Sequence, residues 1–453
     1  MINVLHRRAP FLAPAAAALL AGCASFAPDG GFDRVGELTL DRTGLTPSYQ
    51  RTTGAIDGAQ ARIAEVLAAP LTADSAVELA FLNNRGLQAS FAELGVAESE
   101  WVRAGRLRNP SLGFGKLRES GGVTEIERSV MFDVLGLLTM PVASQVEQRR
   151  FAQAQLQASR EAVSLAAQVR QAWFGAVAAQ ELLAYTRQVK EAADASSEMA
   201  RRMLQAGNFS KLSQMREQSF QADATAQLAR AQQRSLAERE RLTRLLGLSG
   251  TQVNFTLPAR LPELPQTAAQ QRDAEQAAMD QRLDVQMARH SAEHTAQSLG
   301  LTKATRFVNV LELGYQNRSV TGEPRANGYV IELELPLFDF GATRAARAEA
   351  TYMQALHRAA EVAVIAQSEV RESYAAYRTS YDLARHYRDE VVPLRKRISD
   401  ENLLRYNGML IGVFELLADA REQVASVTGY VEALRDFWVA ESQLQTALAG
   451  AGH

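Results

Sequence analysis

The chain has 453 residues, a net charge of −2 and a hydrophobic fraction of 47%. That balance excludes the basic footprint of a nucleic-acid binder and the highly charged, apolar-poor composition of a disordered chain. A single cysteine excludes a disulfide framework, so stability has to come from packing.

The N-terminus reads MINVLHRRAPFLAPAAAALLAGC, a basic stretch at His6, Arg7 and Arg8 followed by an apolar core that ends in Leu20-Ala21-Gly22-Cys23. This pattern predicts an export signal over residues 1–22. The apolar run is shorter than the roughly 20 residues a spanning helix needs, so a processing site is expected rather than an anchor. Cys23 in this setting resembles a lipobox cysteine, which implies acylation at Cys23. Ala24 and Ser25 after it, in place of an aspartate, imply onward sorting to the outer membrane. Beyond the signal no apolar run suits a membrane helix, which leaves a closed barrel as the only spanning structure.

An internal duplication organises the rest. NRGLQASFAEL (Asn84 to Leu94) matches RLDVQMARHSA (Arg282 to Ala292), and LLTMPVAS (Leu137 to Ser144) matches ELELPLFD (Glu332 to Asp339), with Pro141 over Pro336. QAGNFSKLSQM (Gln205 to Met215) lies over YNGMLIGVFELL (Tyr406 to Leu417), and RLTRLLG (Arg241 to Gly247) over SQLQTALAG (Ser442 to Gly450). Each half reads as helix, two strands, long helix, return helix. The repeats span 71–247 and 272–450, joined by a Pro-rich connector over 248–271 and preceded by an extended segment over 23–70.

In the first repeat a helix is expected from about Ser75 to Leu107, and strands within 110–138 about a Gly-Gly turn. A capping box of Ser144 with Glu147 is expected to open a long helix running to about Ala206. At 1.5 Å per residue such a rod is on the order of 95 Å long. Its packing stripe is Ala162, Ala166, Val169, Trp173 and Ala176, at coiled-coil spacing, with alanines that admit close neighbours. The counterpart stripe in the second repeat is Leu356, Ala359, Ala363, Ala366 and Val370, and Pro393 is expected to kink that second rod. The strands of the second repeat lie within 306–335. Leu311, Leu313 and Tyr315 share one face with Phe307, while Glu312, Gly314 and Gln316 take the other. In VIELELPLFDFGATRA, Ile331, Leu333 and Leu335 alternate with Glu332 and Glu334 until Pro336, and after Gly341 the period becomes helical. Apolar outside and polar inside is the pattern of a barrel wall around water, although a half-buried sheet on a core alternates in the same way.

With these features the sequence resembles the outer-membrane factors of the TolC type, in particular the lipoprotein branch that serves efflux pumps. The resemblance runs from about Leu71 to Gly450 and rests on the duplicated order, the Pro-Leu-Phe-Asp-Phe-Gly turn at Pro336 to Gly341, and the Asn-Gly pair at Asn407 and Gly408. It implies a mainly α protein with a membrane β-barrel. Three protomers would form one twelve-stranded barrel, continued by a long periplasmic α-helical barrel, with Asp29 to Pro70 and Ser249 to Thr267 as the only material for an equatorial belt. Pro336 to Gly341, and Pro141 to Ser144 in the first half, would be the strand-to-helix junctions, and Glu312, Glu332 and Glu334 would face the lumen. The implied partners are a homotrimer, a periplasmic adaptor, an inner-membrane pump of the RND or ABC type, and outer-membrane lipid.

The rod ends, Gly207, Asn208, Phe209 and Leu212 with Asn407, Gly408, Leu410 and Val413, are the expected gate and adaptor-docking tips, although Gly207 and Gly408 also read as ordinary helix caps. His290, Glu293 and His294 match an H-x-x-E-H pattern that could hold zinc, but the first repeat has Ala92, Gly95 and Val96 there, so the fold does not require them. No phosphate-binding loop is present. The expectation is a passive exit duct without cofactor, metal or catalytic activity. The alternatives are a lipid-anchored coiled-coil adaptor or scaffold, or the outer-membrane component of type I protein secretion.

Overall fold

The computed structural model describes residues 25–269 and 274–452, and Cys23 lies outside them. The chain forms helices α1 (Phe32–Thr43), α2 (Thr53–Leu67), α3 (Ala73–Asn83) and α4 (Arg85–Ala104), then strands β1 (Ser111–Arg118) and β2 (Thr124–Asp133). Helices α5 (Val134–Gln205) and α6 (Lys211–Leu246) complete the first repeat. The second follows the same order: α7 (Ala274–Gln281), α8 (Leu283–Ala304), β3 (Val310–Val320), β4 (Ala326–Glu334), α9 (Ala342–His386), α10 (Val392–Asn407) and α11 (Val413–Ala449). Among the described residues no helix is long and apolar enough to cross a membrane.

Two compact units emerge. The first comprises residues through Val35, Phe91–Ala158 and Val285–Ala363; the second comprises Gly36–Ser90, Ser159–Asp284 and the chain from Val364. The first unit contains one antiparallel sheet in the order β1-β2-β3-β4, so the central pairing, β2 with β3, joins the two repeats. Beside the sheet, the N-terminal segment is held by packing. The Ala27 amide donates to Glu98, Phe32 meets Phe91 edge-on at 4.9 Å, and Trp101 stacks on Phe151 at 5.5 Å.

The second unit holds the helical core. The expected α5 stripe from Ala162 to Ala176 is buried throughout, and its neighbours Val163, Ala167, Val177 and Ala178 are buried too, so burial spreads well beyond one stripe and leaves Gln168 exposed on the remaining side. The Trp173 indole donates to the Leu71 carbonyl at 2.9 Å, and Phe174 stacks on Trp438. Each repeat breaks its first helix at the same place, between α3 and α4 at Asn84 and between α7 and α8 at Arg282. Onto each break docks the end of a return helix, closed by a left-handed glycine, Gly247 (φ +67°) or Gly450 (φ +69°). A Cβ on Gly247 would stand 2.8 Å from the Asn83 carbonyl oxygen, which is why nothing larger fits. Arg282, 1% exposed, fills the second break, donating to Asp284, Glu369 and the Ala447 carbonyl.

Several expectations need correction. The segment 23–70 was expected to be extended, yet it carries α1 and α2, the latter capped by Thr52. β2 ends at Asp133, and Pro141 and Ser144 lie inside α5 rather than at its start. The cause is local: the Asp133 carboxylate accepts from the Gly136 amide at 2.6 Å, supplying a helix N-cap before the proline is reached. Leu356 is exposed, and the buried line of α9 passes through Ala355 instead. At Pro393, where a kink was expected, the regular helix is interrupted. A π-helical turn at Tyr387–Val391 precedes it, in which the Val392 amide reaches back to the Tyr387 carbonyl, so the ring at 393 no longer meets a tight turn.

Candidate functional site

The sheet has two unlike faces, fixed by register. Phe132 pairs with Leu313 and Leu313 with Ile331, while Val130 pairs with Tyr315 and Tyr315 with Tyr329. Leu112, opposite Val130, and Leu333, opposite Leu311, extend this apolar face. Eight of its side chains, from Leu112 and Phe114 through Tyr329 to Leu333, are exposed although no solvent-facing role suits them. Towards the hairpin turns the same face becomes polar, with Arg128 bonded to Asn317 and Asn317 to Asn327.

The opposite face carries carboxylates. Asp133 pairs with Glu312 and Glu312 with Glu332, a row of three acids across three strands, with Glu334 two residues further along β4. Glu125 and Glu127 lie on this face as well, and Arg318 reaches Glu125. Like charges directly opposite one another weaken strand pairing, and Arg108, 3.1 Å from the Asp133 carboxylate, offsets part of that cost. β1 and β4 each pair on one side only, so the sheet has two open edges.

At the second junction, β4 gives way at Glu334 and α9 begins at Ala342. The intervening turn is closed by the Phe340 amide donating to the Pro336 carbonyl (2.8 Å) and by Asp339, which accepts from the Gly341 amide (2.9 Å) and the Thr343 hydroxyl (2.5 Å). Those bonds hold the Asp339 carboxyl below the usual carboxylate range. Gly341 has φ +71°, and a Cβ there would stand 2.2 Å from the Arg306 carbonyl oxygen.

At the tips the two rods end alike but not where the sequence alignment set them. The Asn208 amide donates to Met203 and the Gly207 amide to Leu204; in the second repeat the Leu410 amide donates to Arg405 and the Met409 amide to Tyr406. Both are Schellman closures. The left-handed residue is Gly207 (φ +78°) in one and Met409 (φ +60°) in the other. Gly408, with φ −80°, is therefore the counterpart of Ala206, and Met409 that of Gly207. Met409 is 93% exposed, and Leu410 and Leu212 are exposed beside their own turns, while Phe209 is half-buried. Asn407 ends α10 and Val413 opens α11; the Val413 side chain lies outside the described set.

The zinc-like triplet is otherwise engaged. Glu293 accepts from Arg149 at 2.5 Å, and burial lowers the pKa of His294, with Arg149 and Arg150 adding to the effect against Glu147. Among the described residues no group of three metal-ligating side chains forms. In the second unit a cleft of about 710 Å³ lies between Trp173, Trp438, Arg42 and Arg170, with Glu441 on its wall. Burial pushes the Glu441 carboxyl up, opposed by Arg170.

No protein-family model matches the chain, and no curated protein matches it in sequence. Solved structures do match. A membrane protein from Pseudomonas aeruginosa superposes with a TM-score of 0.72 at 18% identity, covering 83% of this chain and 93% of that one. The outer-membrane channel OprN gives 0.69 at 18% identity, covering 91% and 96%. The Campylobacter jejuni CmeC outer membrane channel gives 0.67 at 13% identity, covering 90% and 89%. The chain has the fold of these outer-membrane channels. At such identities the likeness is one of fold, and it extends over nearly the whole of each channel chain. The expected class, a mainly helical duplicated unit with two strand pairs, is the one the channel fold has. Glu312, Glu332 and Glu334 were expected on one face, but Asp133 as the third member of the row was missed, because a cross-strand row exists only once β2 is paired with β3. It also missed Met409, because no local signal marks a non-glycine residue for a left-handed position.

Proposed function

We propose that the protein is the outer-membrane exit duct of a tripartite efflux system, conducting small solutes passively from an inner-membrane pump and a periplasmic adaptor to the outside. The observation that carries this reading is a four-stranded sheet with one apolar face, one acidic face and two open edges. Membrane barrels need about eight strands or more, so four strands close only with copies, and three copies give twelve. The apolar face would then meet lipid, and Glu312, Glu332 and Glu334 would line the water-filled interior. The likeness to outer-membrane channels, one of which is described as an open state, supports a conducting role. In this reading residues 1–22 are a cleaved signal, Cys23 carries the lipid anchor, 71–247 and 272–450 are the repeats, and the tips at Gly207 and Met409 dock the adaptor.

Planar-bilayer recording on the purified full-length protein tests the reading. Discrete ohmic steps, together with a cross-linked mass of three chains, are expected. A folded trimer that inserts without conducting would overturn the duct, and a monomer that binds membranes only peripherally would favour a lipid-anchored scaffold.

A further inference from the structure

The sheet segregates charge between its two faces. Every strand carboxylate lies on the face of the acidic row: Glu125, Glu127, Asp133, Glu312, Glu332 and Glu334. The apolar face carries none. Towards the hairpin turns it carries three cations instead, Lys116 and Arg118 on β1 and Arg128 on β2, with Arg128 directly opposite Phe114.

All three cations are exposed, and among the described residues none is ion-paired; Arg128 donates to the neutral Asn317 amide oxygen at 3.0 Å. The turns beyond hold Glu119, Glu323 and Arg325, and neither acid pairs with any of the three. Cations gathered without carboxylates on one face attract an anion from outside.

Strand positions give their depth. Along β2 from Phe132, in the central apolar row, Arg128 is four residues away, Ile126 opposite Lys116 is six, and Thr124 opposite Arg118 is eight. At about 3.3 Å per residue and a tilt of about 40°, these stand roughly 10, 15 and 20 Å above the row, while an apolar band extends roughly 12 Å from its midplane. Aromatic side chains come just below: Tyr315 and Tyr329 meet edge-on at 6.2 Å, and Phe114 is 71% exposed. Apolar, then aromatic, then cationic is the order of a boundary between acyl chains and headgroups, which long cationic side chains reach with their tips. All four helix connections leave the other end of the sheet, so in a duct with periplasmic helices this boundary belongs to the outer leaflet.

The extent of the row narrows the headgroup. From the position of Phe114, opposite Arg128, to Arg118 is four residues of β1, roughly 13 Å of strand. A single glycerophosphate occupies only part of that length, whereas a head with two separated phosphates uses all of it, and guanidinium forks suit phosphate oxygens. Asn317, Asn327 and Ser319 on the same face offer neutral polar groups to sugar hydroxyls.

We infer that the outer end of this face binds a bisphosphorylated glycolipid, with Lys116, Arg118 and Arg128 on its phosphates and Phe114 and Tyr329 against its acyl chains. The inference rests on the sheet being a membrane wall, and it adds the lipid which that wall selects.

The test uses full-length protein in vesicles of phosphatidylethanolamine that carry equal small amounts of lipid A, dephosphorylated lipid A and phosphatidylglycerol. In native mass spectrometry after extraction, wild type is expected to retain lipid A over both others, a comparison that needs no variant. Equal retention of the dephosphorylated form overturns the phosphate contacts, and equal retention of phosphatidylglycerol overturns the glycolipid. Lys116→Gln, Arg118→Gln and Arg128→Gln together should lower the preference about five-fold per residue; an unchanged preference overturns the site. Arg318→Gln removes a cation from the opposite face and should leave the preference as it was, so an equal loss there also overturns the site. Quenching of Ile331→Trp by brominated acyl chains separates the two failures. If that tryptophan is quenched but lipid A is not preferred, the inference falls while the duct stands. If it is not quenched, the membrane wall itself is wrong and the lipid site falls with it.

Discussion

Gly341 shows how one residue sets a junction. Its φ of +71° would cost an L-residue roughly 1–2 kcal/mol, and any Cβ would also run into the Arg306 carbonyl, a backbone atom that cannot swing away. Gly322 has a comparable φ of +89° but open space around it. Gly341→Ala should therefore lower the thermal stability of the purified protein clearly more than Gly322→Ala. Equal losses would mean that the junction yields easily. The sequence already marked Pro336 to Gly341 as the place where the period changes. What it did not contain was the reason, a close approach between segments 35 residues apart. At the first junction a short-range signal misled: Pro141 reads as a helix breaker, but Asp133 caps the helix eight residues earlier, and the chain stays helical through Pro141 although the proline lies beyond the first turn, where its missing donor would have cost nothing.

Elements carry the next set of consequences. Both rods end in Schellman closures, one with glycine and one with methionine in the left-handed position. Met409→Gly should stabilise the second tip by about 1 kcal/mol, seen as slower amide exchange at Met409 and Leu410. Gly408→Ala should be nearly silent, because its Cβ would meet neighbours at ordinary distances of 3.5 Å and beyond. A large loss from Gly408→Ala with no gain from Met409→Gly would restore the alignment of Gly408 with Gly207. Within the sheet, Ile331 sits in the central apolar row and Glu332 in the acidic one. Ile331→Arg should cost about 2–4 kcal/mol in a bilayer, read as lost heat-stable assembly. Glu332→Gln should assemble at least as well, since it relieves repulsion from Glu312, and should weaken the cation preference of the conductance. A reversal of the two outcomes would mean that the lipid and lumen faces are exchanged. The alternation that defines these faces was legible in the sequence because side chains alternate strictly along a strand. The slip from Leu356 to Ala355 arose because an alanine-rich helix offers several equivalent stripes.

For the whole molecule, the proposed duct has two attachments to the membrane, the closed barrel and an acyl chain on Cys23. A few buried acyl chains add to a barrel that already spans and do not replace it. Cys23→Ala should lose palmitate labelling yet still yield membrane-inserted trimer, with a lower yield. Labelling that persists in the variant would remove the lipoprotein reading without touching the duct.

The sequence by itself determined the duplication, the mainly helical class, the two alternating strand pairs and the place where β4 turns into helix. These are periodic or repeated features, carried by residues close together in the chain. Tertiary structure alone decided that β2 of one repeat pairs with β3 of the other, and this pairing gathers Asp133, Glu312 and Glu332 into one row. It alone decided that Arg282 and the two left-handed glycines lock the helix breaks. Each of these depends on contacts between segments about 87 to 200 residues apart, and no local pattern encodes which distant backbone a side chain will meet.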